Sequence, residues 1–294
     1  VIALNLLYLL VGIAALPWVL YRKLSNKRPV AAIRERITGR ICVADCPQDH
    51  DRIWLHGVSV GEVQLLRTLI TELEKQAHIK KQLIDCVLSS STTTGLEVAT
   101  RGHQKDHVFP CPLDFSWAIR EALDRVRPDL LILGELELWP NLLRIADDYK
   151  IPVLVVNGRM SQRSYQGYRK VQRFAASMLR RVSLVLSRSS EDSERFSNLG
   201  APAVETIGSL KFDGIDGDRH GDEVQHLKKI IGFDDDDFIF IAGSTQQPEE
   251  MLAVETFLQQ QKIHPRLKLI LVPRHVERSQ RLADSLAKRL RQTD

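Results

Sequence analysis

Short, almost wholly apolar runs recur along the chain: Ile53–Leu55, Leu83–Leu88, Leu130–Leu133, Val153–Val156, Leu184–Leu186, Val204–Ile207, Phe238–Ile241 and Leu267–Val272. Between several of them the apolar positions fall three and four apart, as at Val63, Leu66, Leu69, Ile70 and Leu73. Runs without polar alternation predict strands buried on both faces, and the intervening period predicts amphipathic helices. Together they predict an α/β fold with a parallel sheet covered on both sides. In such sheets the loops at the carboxyl ends of the strands carry function.

The first 21 residues, VIALNLLYLLVGIAALPWVLY, form one apolar stretch whose most polar side chain is Asn5. About 20 apolar residues suffice for a spanning helix. Arg22, Lys23, Lys27, Arg28, Arg34, Arg36 and Arg40 follow, which predicts that this flank faces the cytoplasm. Trp18 and Tyr21 occupy positions suited to the membrane interface. A secretory signal fits less well, because no basic region precedes the stretch and no small-x-small cleavage site follows it. A buried core helix is the other reading. The expectation is a membrane anchor over residues 1–24, followed by an amino-terminal domain over 25–207 and a carboxyl-terminal one over 208–294.

The boundary falls in a stretch of low apolar content that holds Gly208, Gly214, Gly217, Gly221 and Gly232. The region after it is shorter than the ~100–150 residues common for a domain, so a partial second domain is expected. The net charge of +4, from 41 basic and 37 acidic residues, is too small to indicate a nucleic-acid surface. Cys42, Cys46, Cys86 and Cys111 lack the spacing of a zinc site and are expected to be reduced and structural. The acidic run Asp234–Asp237 reads as a solvated turn rather than a metal loop.

Several segments at strand ends could carry chemistry. In His56-Gly-Val-Ser-Val-Gly-Glu62, Ser59 and Glu62 have the spacing of a capping box, while Glu62 is equally placed to act as a general base. Gly61 would allow a substrate close to the backbone. The hydroxyl-rich Ser89–Gly95 loop suits an anion or a sugar at a helix start, or is an ordinary polar loop. Glu135 and Glu137 leave the end of a strand before Pro140, as functional carboxylates or as helix-capping ones. After Asn157–Tyr165 comes a helix whose Arg169, Arg173 and Arg180 face either solvent or anionic lipid. Gly208–Asp213 and Pro273–His275 each bring a basic residue to a strand end, where it could meet a phosphate.

Taken in order, HGVSVGE, the loop ending in TTTG, PLDF at Pro112–Phe115, ELELWPN, NGRMSQRS, GSLKFD and PRHVER closely resemble the motifs of the bacterial Kdo (3-deoxy-D-manno-octulosonate) transferases. The resemblance implies two Rossmann-like domains facing a cleft in the GT-B manner, the second of them incomplete here. It implies inverting transfer of Kdo from CMP-Kdo to a lipid A precursor at the inner membrane, with no metal, no cofactor and no nucleic-acid partner. By it Glu62 is the base, Glu135 and Lys211 stabilise the transition state, and Pro273 and Arg274 belong to the CMP site. Ser59, Gly61, Glu137 and Arg159 are candidate contacts to the acceptor. The family usually has His and Glu where Gln246 and Gln247 stand. The alternative function is a non-catalytic, membrane-bound protein that binds the lipid A precursor without a complete donor site.

Overall fold

The computed structural model describes residues 4–6, 8–10, 14, 32–213, 218 and 220–290. Most of the expected anchor over 1–24 lies outside these residues. Among those described, no helix is long and apolar enough to cross a membrane. The chain divides into two compact units, Val1–Ile215 and Asp216–Asp294.

After the helical residues 4–6 and 8–10, the first unit has a short helix α1 (Ile33–Thr38) and then alternates strands with helices. The strands are β1 (Asp51–Gly57), β2 (Ile84–Ser90), β3 (Val108–Pro110), β4 (Leu130–Gly134), β5 (Val153–Gly158), β6 (Leu184–Ser187) and β7 (Val204–Thr206). Between them run α2 (Val60–Lys80), α3 (Thr93–Gly102), α4 (Ser116–Val126), α5 (Pro140–Asp148), α6 (Gln162–Lys170), α7 (Gln172–Leu179) and α8 (Ser190–Asn198). All seven strands are parallel in the order β3-β2-β1-β4-β5-β6-β7.

Alternation along each strand divides the core between two faces. On one face Trp54, Leu131, Leu133, Val153, Val155 and Val185 pack with buried residues of α4, α5, α7 and α8. On the other, Ile53, Leu55, Cys86, Leu88, Ile132 and Val156 pack with Val63, Leu66 and Ile70 of α2 and Ala99 of α3. The expected doubly covered sheet is therefore present. Strand β3 was not expected, because three residues ending in proline give no periodic signal. Gly39 follows α1 with φ of +74°, and a Cβ there would lie 2.0 Å from the Ala118 carbonyl oxygen. Glycine is needed at this position on both counts.

The second unit has α9 (Asp222–Ile231), β8 (Phe238–Thr245), α10 (Glu249–Gln261), β9 (Leu267–Pro273) and α11 (Ser279–Leu290). Its two strands pair in parallel. Ala253 and Val254 are buried, as is Glu250, whose carboxylate pairs with Arg278 at 3.0 Å.

Candidate active site

The strand order reverses direction between β1 and β4, since β2 and β3 continue on one side and β5 to β7 on the other. Such a switch point leaves a crevice at the carboxyl ends of the strands. The amino ends carry a cavity of their own, about 660 Å³, bordered by Asp45, Arg52, Asp124 and Arg127. Arg52 is buried there, with its Nε donating to Asp85 Oδ2 at 2.6 Å and its backbone N–H to Asp129 at 2.7 Å. Arg52 is internally satisfied there, and the motif carboxylates lie at the other edge.

Glu62 enters the crevice from the first turn of α2. A Cβ on Gly57 would lie 3.1 Å from Glu62 Cβ, and one on Gly134 would lie 3.7 Å from it. These two side-chain-free positions, ending β1 and β4, admit the helix start directly over the switch point. Glu62 Oε2 accepts the Val58 N–H at 2.7 Å, Oε1 accepts the Ser59 hydroxyl at 2.8 Å, and Ser59 Oγ accepts the Glu62 N–H at 3.3 Å. Ser59 thus caps α2 as the spacing predicts, while Glu62 reaches back one residue further than a capping box does, to the N–H before the N-cap. These bonds fix the carboxylate and do not preclude a base, because each oxygen keeps a further lone pair. Ser59 is exposed beside it. Gly61 has only the Ser59 Oγ near its virtual Cβ, at 3.9 Å, so the fold does not require glycine there.

Glu135 follows β4 in the left-handed region, with φ of 56°. Its N–H donates to Val156 O at 2.9 Å. Lys211 arrives from the 3₁₀ turn Leu210–Phe212 after β7, and its Nζ lies 3.3 Å from Glu135 Oε1. A lysine and a glutamate 76 positions apart are thereby brought together at the sheet edge. Glu137 accepts the Trp139 indole N–H at 2.9 Å. Burial pushes its carboxyl up to about 7, with the charges of Glu62 and Glu135 adding to the rise against the Trp139 hydrogen bond. Three carboxylates therefore share this region with the ammonium of Lys211, and the carboxyl of Glu137 is raised toward neutrality.

Two buried residues that the motif reading left without a role support the site. His56 ends the apolar run of β1, where its Nδ1 meets Ser89 Oγ at 2.9 Å, and burial lowers its pKa to about 4. It is neutral and joins β1 to β2. Asn157 is fully buried with φ of 54°, and its Oδ1 accepts the Leu210 N–H at 3.3 Å. It fastens the turn that carries Lys211. An Asn-Gly pair closing an apolar strand was the available signal for it.

The hydroxyl-rich loop after β2 turns inward. Thr92 Oγ1 caps α3 by accepting the Gly95 N–H at 3.1 Å and donates to Val58 O at 2.7 Å. The PLDF segment contributes structure, since Asp114 accepts the Asn141 and Leu142 N–H groups at 3.0 and 2.8 Å and so caps α5. Arg159 is exposed after β5 and borders a cavity of about 290 Å³ with Arg188, Asp192 and Arg195. In the second unit, Pro273 ends β9, and the Arg274 N–H donates to Thr245 O at 3.0 Å.

Residues 31–214 match the family described as 3-deoxy-D-manno-octulosonic-acid transferase (kdotransferase). A bifunctional glycosyltransferase/methyltransferase of Fusobacterium nucleatum is 36% identical over 240 residues, covering 79% of this chain and 35% of that protein. The 3-deoxy-D-manno-octulosonic acid transferase of Haemophilus influenzae is 31% identical over 250 residues, covering 83% of this chain and 56% of that protein. The enzyme of that name from Aquifex aeolicus is 27% identical and covers 76% and 55%. The chain spans about half the length of these last two relatives and 35% of the first. Among solved structures, UDP-GlcNAc 2-epimerase from Neisseria meningitidis superposes with a TM-score of 0.55 at 11% identity, covering 80% of this chain and 69% of that one. Anabaena HepE superposes with a TM-score of 0.51 at 14% identity, covering 83% and 66%. These likenesses agree with a Rossmann-like α/β fold of the GT-B type.

Proposed function

The chain belongs to the 3-deoxy-D-manno-octulosonic-acid transferase family, and on that premise we propose that it acts in the transfer of Kdo from CMP-Kdo to a lipid A precursor, lipid IVA, in lipopolysaccharide core biosynthesis. The supporting observation is the meeting of Glu62, Glu135 and Lys211 at the switch-point edge, with Lys211 Nζ 3.3 Å from Glu135 Oε1.

In this reading an acceptor sugar hydroxyl attacks the anomeric carbon of Kdo while Glu62 takes its proton. The bond from that carbon to the CMP phosphate oxygen breaks on the opposite face, so the configuration inverts. Negative charge grows on the departing phosphate, and the Lys211 ammonium is the group at this edge that opposes it. Glu135 holds that ammonium in place. Ser59, Glu137 and the exposed Arg159 are the polar groups offered to the acceptor, while Pro273 and Arg274 at the end of β9 are those offered to CMP. The work would take place at the cytoplasmic face of the inner membrane, because the apolar amino end and its basic flank suit that surface.

The test is transfer from CMP-Kdo to lipid IVA in detergent, comparing the chain with its Glu62→Ala and Lys211→Ala variants. Loss of about 10²-fold or more in kcat for each, with lipid binding retained, is expected for a base and a charge-stabilising group. Equal transfer by Glu62→Ala would remove Glu62 as the base. No transfer by any form, with lipid bound, would favour acceptor binding without catalysis.

A further inference from the structure

The proposed reaction leaves unused a polar network that ties the amino end to the first unit. Residues 4–6 and 8–10 are helical. Asn5 Nδ2 donates to Ser116 Oγ at 2.7 Å, and Asn5 Oδ1 accepts from the Ser116 N–H at 3.2 Å and from Asn141 Nδ2 at 3.1 Å. The Tyr8 hydroxyl donates to Asp114 Oδ2 at 2.9 Å, and its ring meets Phe115 edge-on at 5.9 Å. Helix α4 has Phe115 at its N-cap with no side-chain cap of its own, so Asn5 supplies a capping acceptor from 111 residues away. Three-residue spacing puts Asn5 and Tyr8 on one side of a helix. Leu6, Leu9 and Leu10 are 55%, 42% and 65% exposed.

The apolar surface continues onto the unit. Phe115 stacks on Trp117 at 4.5 Å, and the half-exposed Trp117 donates its indole N–H to Ile37 O at 2.9 Å. Helix α1 exposes Ile33 and Ile37, one turn apart, beside exposed Arg34 and Arg40. Apolar side chains rimmed by arginine suit an anionic lipid surface.

This network and a spanning helix exclude each other. Asn5 precedes Trp18 by thirteen residues. With Trp18 at the near interface of a spanning helix, Asn5 would lie about 20 Å deep, past the middle of a ~30 Å hydrocarbon core. Ser116 and Asn141 are buried parts of a folded α/β unit and could not follow it there. We propose that Asn5 and Tyr8 latch the helical residues 4–6 and 8–10 against the α/β unit, so that they lie in the plane of an anionic bilayer with Leu6, Leu9, Leu10 and Trp117 entering one leaflet. The lipid half rests on the membrane location put forward above, and the latch does not.

The experiment uses the whole chain with Cys42→Ser and Cys46→Ser. Asn5→Cys with Ser116→Cys is oxidised mildly in isolated membranes, and separately Leu10→Trp is exposed to phosphatidylglycerol vesicles brominated at shallow or deep chain positions. The expected result is an internal crosslink in most of the chain, slowed about fivefold by Tyr8→Phe as one hydrogen bond is lost, and stronger quenching by shallow bromines. No crosslink in protein of unchanged circular dichroism, or strongest quenching by deep bromines in the Leu10→Trp chain whose latch is intact, overturns the latch. Crosslinking without quenching by any vesicle keeps the latch and overturns the lipid surface, together with the membrane location it rests on.

Discussion

Strands β1 and β4 of the first unit and β8 and β9 of the second share a pattern: each holds a short apolar run, and each pair is parallel. Their surroundings differ. Trp54, Leu55, Leu131 and Leu133 are fully buried between helices on both faces of a seven-stranded sheet. Phe238, Ile241 and Val272 of the two-stranded sheet are 64%, 60% and 49% exposed. An apolar strand is a demand for neighbours, and the hydrophobic gain comes only where flanking strands and helices remove that surface from water. The same pattern thus lies buried beneath the site in one unit and leaves apolar surface in the other.

The comparison can be broken most directly in the cores. Trp54→Ala should cost ~3–5 kcal/mol, whereas Ile241→Ala should change stability by no more than about 0.5 kcal/mol. Denaturant unfolding of the two variants checks this, and similar losses would mean that β8 is as tightly packed as β1.

A smaller difference is expected at helix starts. Asp114 caps α5 from a distant segment, while α10 has no side-chain cap and its first-turn Glu249 only accepts the preceding Gln246 N–H at 2.8 Å. Asp114→Ala should cost ~1–3 kcal/mol by orphaning two buried donors, and Glu249→Ala only ~0.3–1 kcal/mol. Burial raises the Asp114 carboxyl to about 6 despite those donors. The folded form therefore binds its proton more tightly than the unfolded chain does, so the stability linked to that proton is full below pH ~4 and is lost as pH rises through 6. Asp114→Asn should flatten that slope in unfolding measured from pH 4 to 7.

A further pH-dependent contrast concerns Glu137. Its carboxyl is raised to about 7, mainly by burial and then by Glu62, so by the same sign it stabilises the fold below its unfolded value near 4.5 and less as pH climbs to 7. Glu137→Gln keeps an acceptor for Trp139 and should remove this fall without altering stability at pH 5. An unchanged slope between pH 5 and 8 would show that Glu137 is already ionised in the folded protein.

Much of this molecule was legible in advance because its signals are local. The apolar runs became strands, and Ser59 caps the helix start with Glu62 turned back onto it, since both partners lie within one helical turn. Strand β3 was too short to read. The expected anchor lies largely outside the described residues, yet Asn5, met first as the most polar residue of an apolar stretch, is committed to Ser116 and Asn141. Nothing near Asn5 or Asp114 in sequence announces their partners, which lie 111 and 27 residues away.

By itself, then, the sequence determined the alternation of strands and helices, the parallel sheet and the motif residues at strand ends, because hydrophobic period and capping act over a few residues. Only the tertiary structure decided that Glu62, Glu135 and Lys211 share one edge, that Asn157 fastens the turn bearing the lysine, and that the carboxyl of Glu137 is raised toward neutrality. Strand order, burial and the summed field of neighbouring charges are properties of groups far apart in the chain, and they exist only once it has folded.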